Sequence, residues 1–385
     1  MSKSAPHRQT EKQFSLKDEL FNDTTVRQLA AELKAVYPDF NAQLFTHEVL
    51  RAFPEQELME RIRGIRNALR THLPDDYRQA VAIILAALPP PLDPARTDND
   101  FGSFIYAPYS YFVATYGCSK RHVAFSLRAL REITKRFSAE AALRDFLNAF
   151  PKETTAAVTT WSTDANYHVR RLASEGTRPY LPWAQRLSLP PATFVPILDT
   201  LYADHTRYVT RSVANHLNDL SKIDPDLVVR TLKRWQKEDR QSPSELAFIT
   251  KHALRTLIKT GHQEALALLG YDAPKIKSAR LTLASPTVTI GKTLGFTLSL
   301  TAAAAADTQS LLVDYVVHYQ KANGTTAPKV FKLGTYTVEP GDRLSLQKEH
   351  SFKLMSTRAL YPGKHQLVVQ VNGVPVAKKQ FTLSS

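Results

Sequence analysis

Cysteine is nearly absent: Cys118 is the single one in 385 residues, which excludes an internal disulfide and any multi-cysteine metal site. Tryptophan is scarce too, with three in all. Acidic residues run short, 36 Asp and Glu against 50 Lys and Arg, for a formal net charge of +14 and a pI near 9.7. A polyanion is therefore the first physical guess for a partner. Long hydrophobic runs are missing. The best stretch, AVAIILAAL at 80–88, is short of the roughly 18 residues a membrane span needs. The opening MSKSAPHRQTEKQFSLKDEL lacks the apolar centre of a signal peptide. The expectation is a cytoplasmic chain without membrane association. Sites of other enzyme classes are missing as well. IGKT at 290–293 is half a phosphate loop set in strand-like sequence, no nucleophile elbow appears, and twelve scattered histidines form no HExxH. No metal and no cofactor are expected.

What is present falls into two periods. From about Lys17 to Gly270, segments such as VRQLAAELKAVY (26–37) and VAFSLRALREITKRF (123–137) space apolar residues three and four apart, as amphipathic helices do. After Tyr271 the pattern becomes short alternating runs rich in Val, Thr and Tyr: seven strand-length segments, with Asn372-Gly373 marking a tight hairpin. The fold expected is mostly α, a HEAT-like helical-repeat solenoid, followed by an immunoglobulin-like β-sandwich. The boundaries read as a polar tail at 1–16, a helical domain at 17–271 and a sandwich at 276–385, with DAPK (272–275) as linker. From Lys275 onward there are fourteen Lys and Arg against five Asp and Glu. Basic loops around Lys321, Lys329 and Lys332, or Lys378 and Lys379, are therefore candidates to meet the same polyanion as the helices; a solubilising surface explains the charge equally well.

Shifting WSTDANYHVRRLASEGTRPYLPW (161–183) by forty residues exposes a repeat. Val169 and Arg171 fall on Val209 and Arg211, then on Ile249 and Lys251, and Asp164 falls on Asp204. In stacked helix pairs one repeat position returns to one face. Arg171, Arg211 and Lys251 would then form a row of cations suited to phosphates, unless carboxylates nearby pair with them. Asn215 and Asn218, poor residues for a helix interior, lie on the same segment as Arg207 and Arg211. They could bond a sugar–phosphate backbone or neighbouring helices. Arg178, before Pro179, suits a bidentate phosphate clamp, and Arg170 joins the same basic group.

WSTDANYHVRRLASEGTRPYLPWA followed by YVTRSVANHLNDLSKIDPD, with RFSAEAALRDFL (136–147) upstream, resembles the signature of the AlkC branch of bacterial alkyl-DNA glycosylases. The resemblance covers about Phe14 to Gly270. It implies a HEAT-like repeat enzyme that excises cationic N-alkylated bases, notably N3-methyl adducts, from double-stranded DNA, bending the duplex rather than fully flipping the base. It also implies that some members carry an immunoglobulin-like domain. The chain departs at YAPYSYFVATYG (106–117), where some members have acidic residues and this one has Tyr, which puts substrate preference in question.

The residues supply a chemistry that fits. A cationic base leaves without being protonated, so the barrier lies in the oxocarbenium ion left on the deoxyribose. A carboxylate beside it stabilises that charge, and an aromatic face attracts the cationic base. Trp161 is the aromatic candidate. Glu140, Asp204 and Glu175 are the candidate acids, although Glu140 also suits a helix start and Glu175 could simply pair with Arg171 or Arg178. Asp164 reads as a helix N-cap, and Trp183 as a packing anchor outside the site. The competing reading is a non-catalytic HEAT-like DNA-binding or scaffold protein; a peptide-binding repeat protein would want an apolar or acidic groove instead. A monomer without an obligate protein partner is expected.

Overall fold

A computed structural model describes residues 15–93, 95, 101–354 and 359–385; most of the expected N-terminal tail lies outside the described residues. The chain divides into two compact units, Met1–Asp219 and Leu220–Ser385.

The first unit is helical. Helices close in sequence pack as neighbours, Asp23–Val36 with Ala42–Ala52 and Glu140–Ala149 with Pro151–Trp161, and Leu58–His72 packs on Ala107–Gly117 across the intervening helix Tyr77–Ala86. The forty-residue period is physical. Val169 and Val209 are both buried, as are Ala173 and Val213 four residues on, so the apolar column packs each repeat on the next. The polar column repeats as well. Arg131 reaches forward to Asp164 at 2.6 Å, and Arg170 to Asp204 at 2.5 Å. In each case the aspartate also accepts a backbone N–H two residues on, from Asn166 at 2.9 Å and from Thr206 at 2.8 Å. Asp164 is therefore an Asx-turn residue tied to the preceding repeat. The N-cap of the helix Tyr167–Glu175 is Asn166, whose side chain accepts from His168 N–H, which corrects the N-cap role expected for Asp164.

The second unit begins with helices Pro225–Glu238, Pro243–Ala253, Arg255–Thr260 and Gln263–Ala267. The third copy of the repeat lies here, with Ile249 and Ala253 buried like their counterparts. Eight strands follow, not seven: β1 (Ile276–Leu283), β2 (Thr287–Thr289), β3 (Thr293–Ala302), β4 (Gln309–Gln320), β5 (Thr326–Val338), β6 (Arg343–Ser351), β7 (Gly363–Val371) and β8 (Val374–Ser384). The extra strand arises because Ser285-Pro286 interrupts the first expected segment, proline being unable to donate to a ladder. The sheets are β1-β3-β6 and β2-β8-β7-β4-β5, packed on a core that includes Leu298, Val313, Tyr315 and Val369. At the β7–β8 hairpin Asn372 and Gly373 both have positive φ, 45° and 75°, the geometry of a two-residue type I′ turn. Of the basic residues assigned to loops, Lys329 and Lys332 lie on β5, and Lys378 and Lys379 on β8; Lys321 alone lies in a turn. All five are exposed.

Candidate functional site

The helix Glu140–Ala149 starts at Glu140. One carboxylate oxygen, Oε2, accepts from Ser138 Oγ at 2.6 Å and from Arg171 Nη1 at 2.9 Å. Among the described residues no donor meets Oε1, so one oxygen is anchored. The side chain borders a cavity of about 190 Å³. The rings of Phe101, Phe104, Tyr111, Phe137 and Trp183 line that cavity, and among the described residues Glu140 is the one carboxylate there. Trp183 is the most exposed of them, at 81%, and sits at φ 59°. That left-handed backbone is costly for a bulky residue, and here it turns the indole outward at the end of the Leu181-Pro182 segment.

Arg171 is buried, its guanidinium 4.4 Å from the centre of the Tyr208 ring and 5.9 Å from that of Phe101. Burial works against its charge, but Glu140 and Glu175 outweigh burial and raise its pKa. The chain of charges runs on inward. Glu175 lies 3.6 Å from Arg171 and also bonds Arg178, which donates to Asp219 at 2.9 Å. Burial would push the Glu175 carboxyl up; Arg171 and Arg178 reverse this and hold it below its usual range. Arg144, fully buried, donates to the carbonyls of Gln185, Gly176 and Arg178 and so pins the loop that carries Trp183. Burial, with repulsion from Arg178 and Arg186, lowers its pKa to about 10.

Against this geometry the candidate residues separate. Glu140 keeps 27% of its side chain exposed, while Glu175 keeps 6% and Asp204 4%. Asp204 is taken up by both nitrogens of a fork on Arg170 and by Thr206. Trp161 ends its helix at 5% exposure and does not line the Glu140 cavity; the indole there is Trp183, the one read from sequence as a packing anchor. Arg170, Arg171 and Arg178 are each committed to internal carboxylates rather than forming an open row. Arg207, Arg211 and Asn215 make one partly exposed stripe on an otherwise buried helix, Arg207–Leu220, and Asn218 is buried. Lys251 is exposed in the second unit. Sequence reasoning missed Phe101, Ser138, Trp183 and Asp219. A signal for Asp219 did exist, since it follows Arg178 by 41 residues, close to the repeat.

Among the described residues, no group of three or more His, Cys, Asp or Glu is placed to hold a metal ion, and no helix is long and apolar enough to cross a membrane.

Comparison with known proteins bears on the whole chain. Residues 277–385 match the family described as "Uncharacterised protein YhaZ, C-terminal Ig-like domain". The protein YhaZ of Bacillus subtilis (strain 168) is 34% identical over 360 residues, covering 92% of this chain and 96% of that protein. A solved structure, the Pseudomonas fluorescens alkylpurine DNA glycosylase AlkC bound to DNA containing an abasic site analog, is also similar. It superposes with a TM-score of 0.82 at 34% identity, over 96% of this chain and 100% of the other.

Proposed function

Because the chain belongs to the AlkC family, with a HEAT-like helical-repeat region and an immunoglobulin-like domain, we propose that it is a DNA-repair glycosylase. In this reading it hydrolyses the N-glycosidic bond of cationic N3-alkylated bases, 3-methyladenine first and 3-methylcytosine with it, in double-stranded DNA. The observation that carries the site assignment is the exposure of Glu140: alone among the three candidate acids it borders this cavity, whose other described lining mixes five aromatic rings with aliphatic side chains and two serines.

The chemistry follows from that pairing. The alkylated base carries a positive charge and departs with the electrons of the C–N bond, becoming neutral. Positive charge passes to C1′ and the ring oxygen of the deoxyribose. Glu140 Oε1 faces this charge as a fixed anion and orients the water that adds at C1′, whose proton passes to the carboxylate or to solvent. Ser138 and Arg171 both donate to Oε2, an arrangement for a carboxylate that accepts rather than one that supplies a proton. Trp183 and the neighbouring rings attract the cationic base by about 0.5–2 kcal/mol. The anion acts on the sugar, so the duplex needs only to be bent until the lesion's deoxyribose meets Glu140; the base need not swing fully into a pocket. The partly exposed stripe of Arg207, Arg211 and Asn215 is the part of the predicted DNA contact that this reading retains.

The test is release of 3-methyladenine from methylated duplex DNA by the purified protein. Glu140→Gln should slow single-turnover release by about 10²–10³-fold, the range for loss of one transition-state electrostatic contact, with binding to an abasic-site duplex preserved. A wild-type protein that binds such DNA and releases no base would make this chain the non-catalytic DNA-binding protein instead.

A further inference from the structure

A second cavity, of about 350 Å³, lies within the C-terminal unit, where the last helices meet the outer face of β4 and β5. Its apolar floor is made by Ile258, Leu312 and Val330. Lys251, Arg255 and Lys259 border one side, and Lys332 of β5 the other. Lys251 lies in the last turn of the helix Pro243–Ala253, and Arg255 and Lys259 lie one turn apart on the next helix, Arg255–Thr260. Asp314 is the one acid lining the cavity; it is buried, and that burial raises its pKa although Gln370 and Lys332 work the other way.

We propose that this cavity docks an acidic peptide segment of a partner protein, with one large apolar side chain seated in the pocket and carboxylates beside the cations that border it. A single small anion would leave the aliphatic floor uncovered. A nucleic-acid backbone would match the spacing of the cations but has nothing to place on an aliphatic floor. The combination of that floor with a one-signed rim therefore favours the peptide. The proposal is independent of the glycosylase reading, because no residue of this cavity borders the Glu140 site.

The experiment uses the full chain and fluorescence anisotropy with a labelled peptide of three aspartates followed by a terminal phenylalanine. Saturable binding is expected, weakened at least about tenfold when serine replaces the phenylalanine and again when serines replace the aspartates. Lys251→Glu with Lys259→Glu, both exposed and so tolerant of substitution, should abolish it; Val330→Asp should do so through the floor. Unchanged thermal melting of the lysine variant separates lost docking from lost folding. Absence of saturable binding overturns the proposal. So do equal binding by the peptide that lacks phenylalanine and displacement of the peptide by a short undamaged duplex, either of which marks the surface as a plain nucleic-acid contact.

Discussion

Which indole borders the Glu140 cavity follows from backbone rather than from helical phase. Trp161 falls at an interior position of a repeat and is buried there, whereas Trp183 follows Pro182 in a segment outside any helix and is exposed. If its ring attracts the cationic base, an attraction that fades as the base departs neutral, Trp183→Ala should weaken binding of the methylated duplex about 2- to 30-fold, the equivalent of 0.5–2 kcal/mol, and raise KM rather than slow single-turnover release. Thermal stability should hardly change, since so little of the indole is buried. A loss of activity matched by a large fall in melting temperature would make it a packing residue after all. His216 offers a different test. It is buried, and burial drops its pKa from 6.5 to about 4, although Nδ1 donates to the Ser174 carbonyl at 3.1 Å and Asp219 and Glu175 oppose the shift. Between those two values the unfolded chain takes up a proton that the folded chain refuses, so stability falls as pH is lowered from about 6.5 toward 4. The full loss is about 3 kcal/mol. Urea denaturation across this range should show the slope, and His216→Gln, which keeps a donor for Ser174 but cannot titrate, should flatten it.

Elements were more legible than the contacts between them. The forty-residue period was readable because Val169, Val209 and Ile249 are each buried, and burial of an apolar residue leaves a mark in spacing. The fate of the cations was not readable. Arg171 sits at the same repeat position as the exposed Lys251, yet it is buried, because Glu140 arrives from a helix 31 residues upstream and Glu175 from its own. Ion pairs across repeats leave no periodic trace. Asn372-Gly373 lies at the other extreme, since its two-residue turn demands positive φ and so names its residues. The structure adds a second duty for the asparagine. Its Oδ1 accepts from Leu312 N–H at 2.7 Å, and its Nδ2 donates to Asp272 O at 2.7 Å and Ser310 O at 3.0 Å. Asn372→Ala would strand these buried groups and place a Cβ residue without a local hydrogen bond in the left-handed region. A loss of about 3 kcal/mol or more is expected, measured as a fall in the urea midpoint. Asn372→Gly, which relieves the backbone but not the bonds, should recover only part of it.

At the scale of the molecule, the C-terminal unit joins four helices to the sandwich rather than leaving a sandwich on a string. The run LLVDYVVHYQ shows why. On β4, Leu311, Val313, Tyr315 and Val317 face the sandwich core, yet Leu312, Asp314 and Val316 of the other face are buried too. A strand covered on both faces reads as a continuous apolar run instead of an alternation. The contacts between the two parts are close. Gln263 donates to Asn372 O at 3.1 Å, and a Cβ built on Gly373 would stand 2.6 Å from the Gly261 Cα, so only glycine fits there. Ending the chain at Asp272 should therefore do more than remove a basic surface. The helices from Pro243 to Ala267 would lose their partner, and we expect that stretch to become sensitive to limited proteolysis while the shortened chain loses its single cooperative melt. Full protection of those helices after truncation would show that the sandwich lends them no stability. A lower DNA affinity of the shortened chain therefore mixes lost contacts with lost helical order. Charge-neutralising changes on exposed strand residues, Lys378→Gln with Lys379→Gln, isolate the electrostatic part: each phosphate contact removed should lower the slope of log K against log salt by about 0.9.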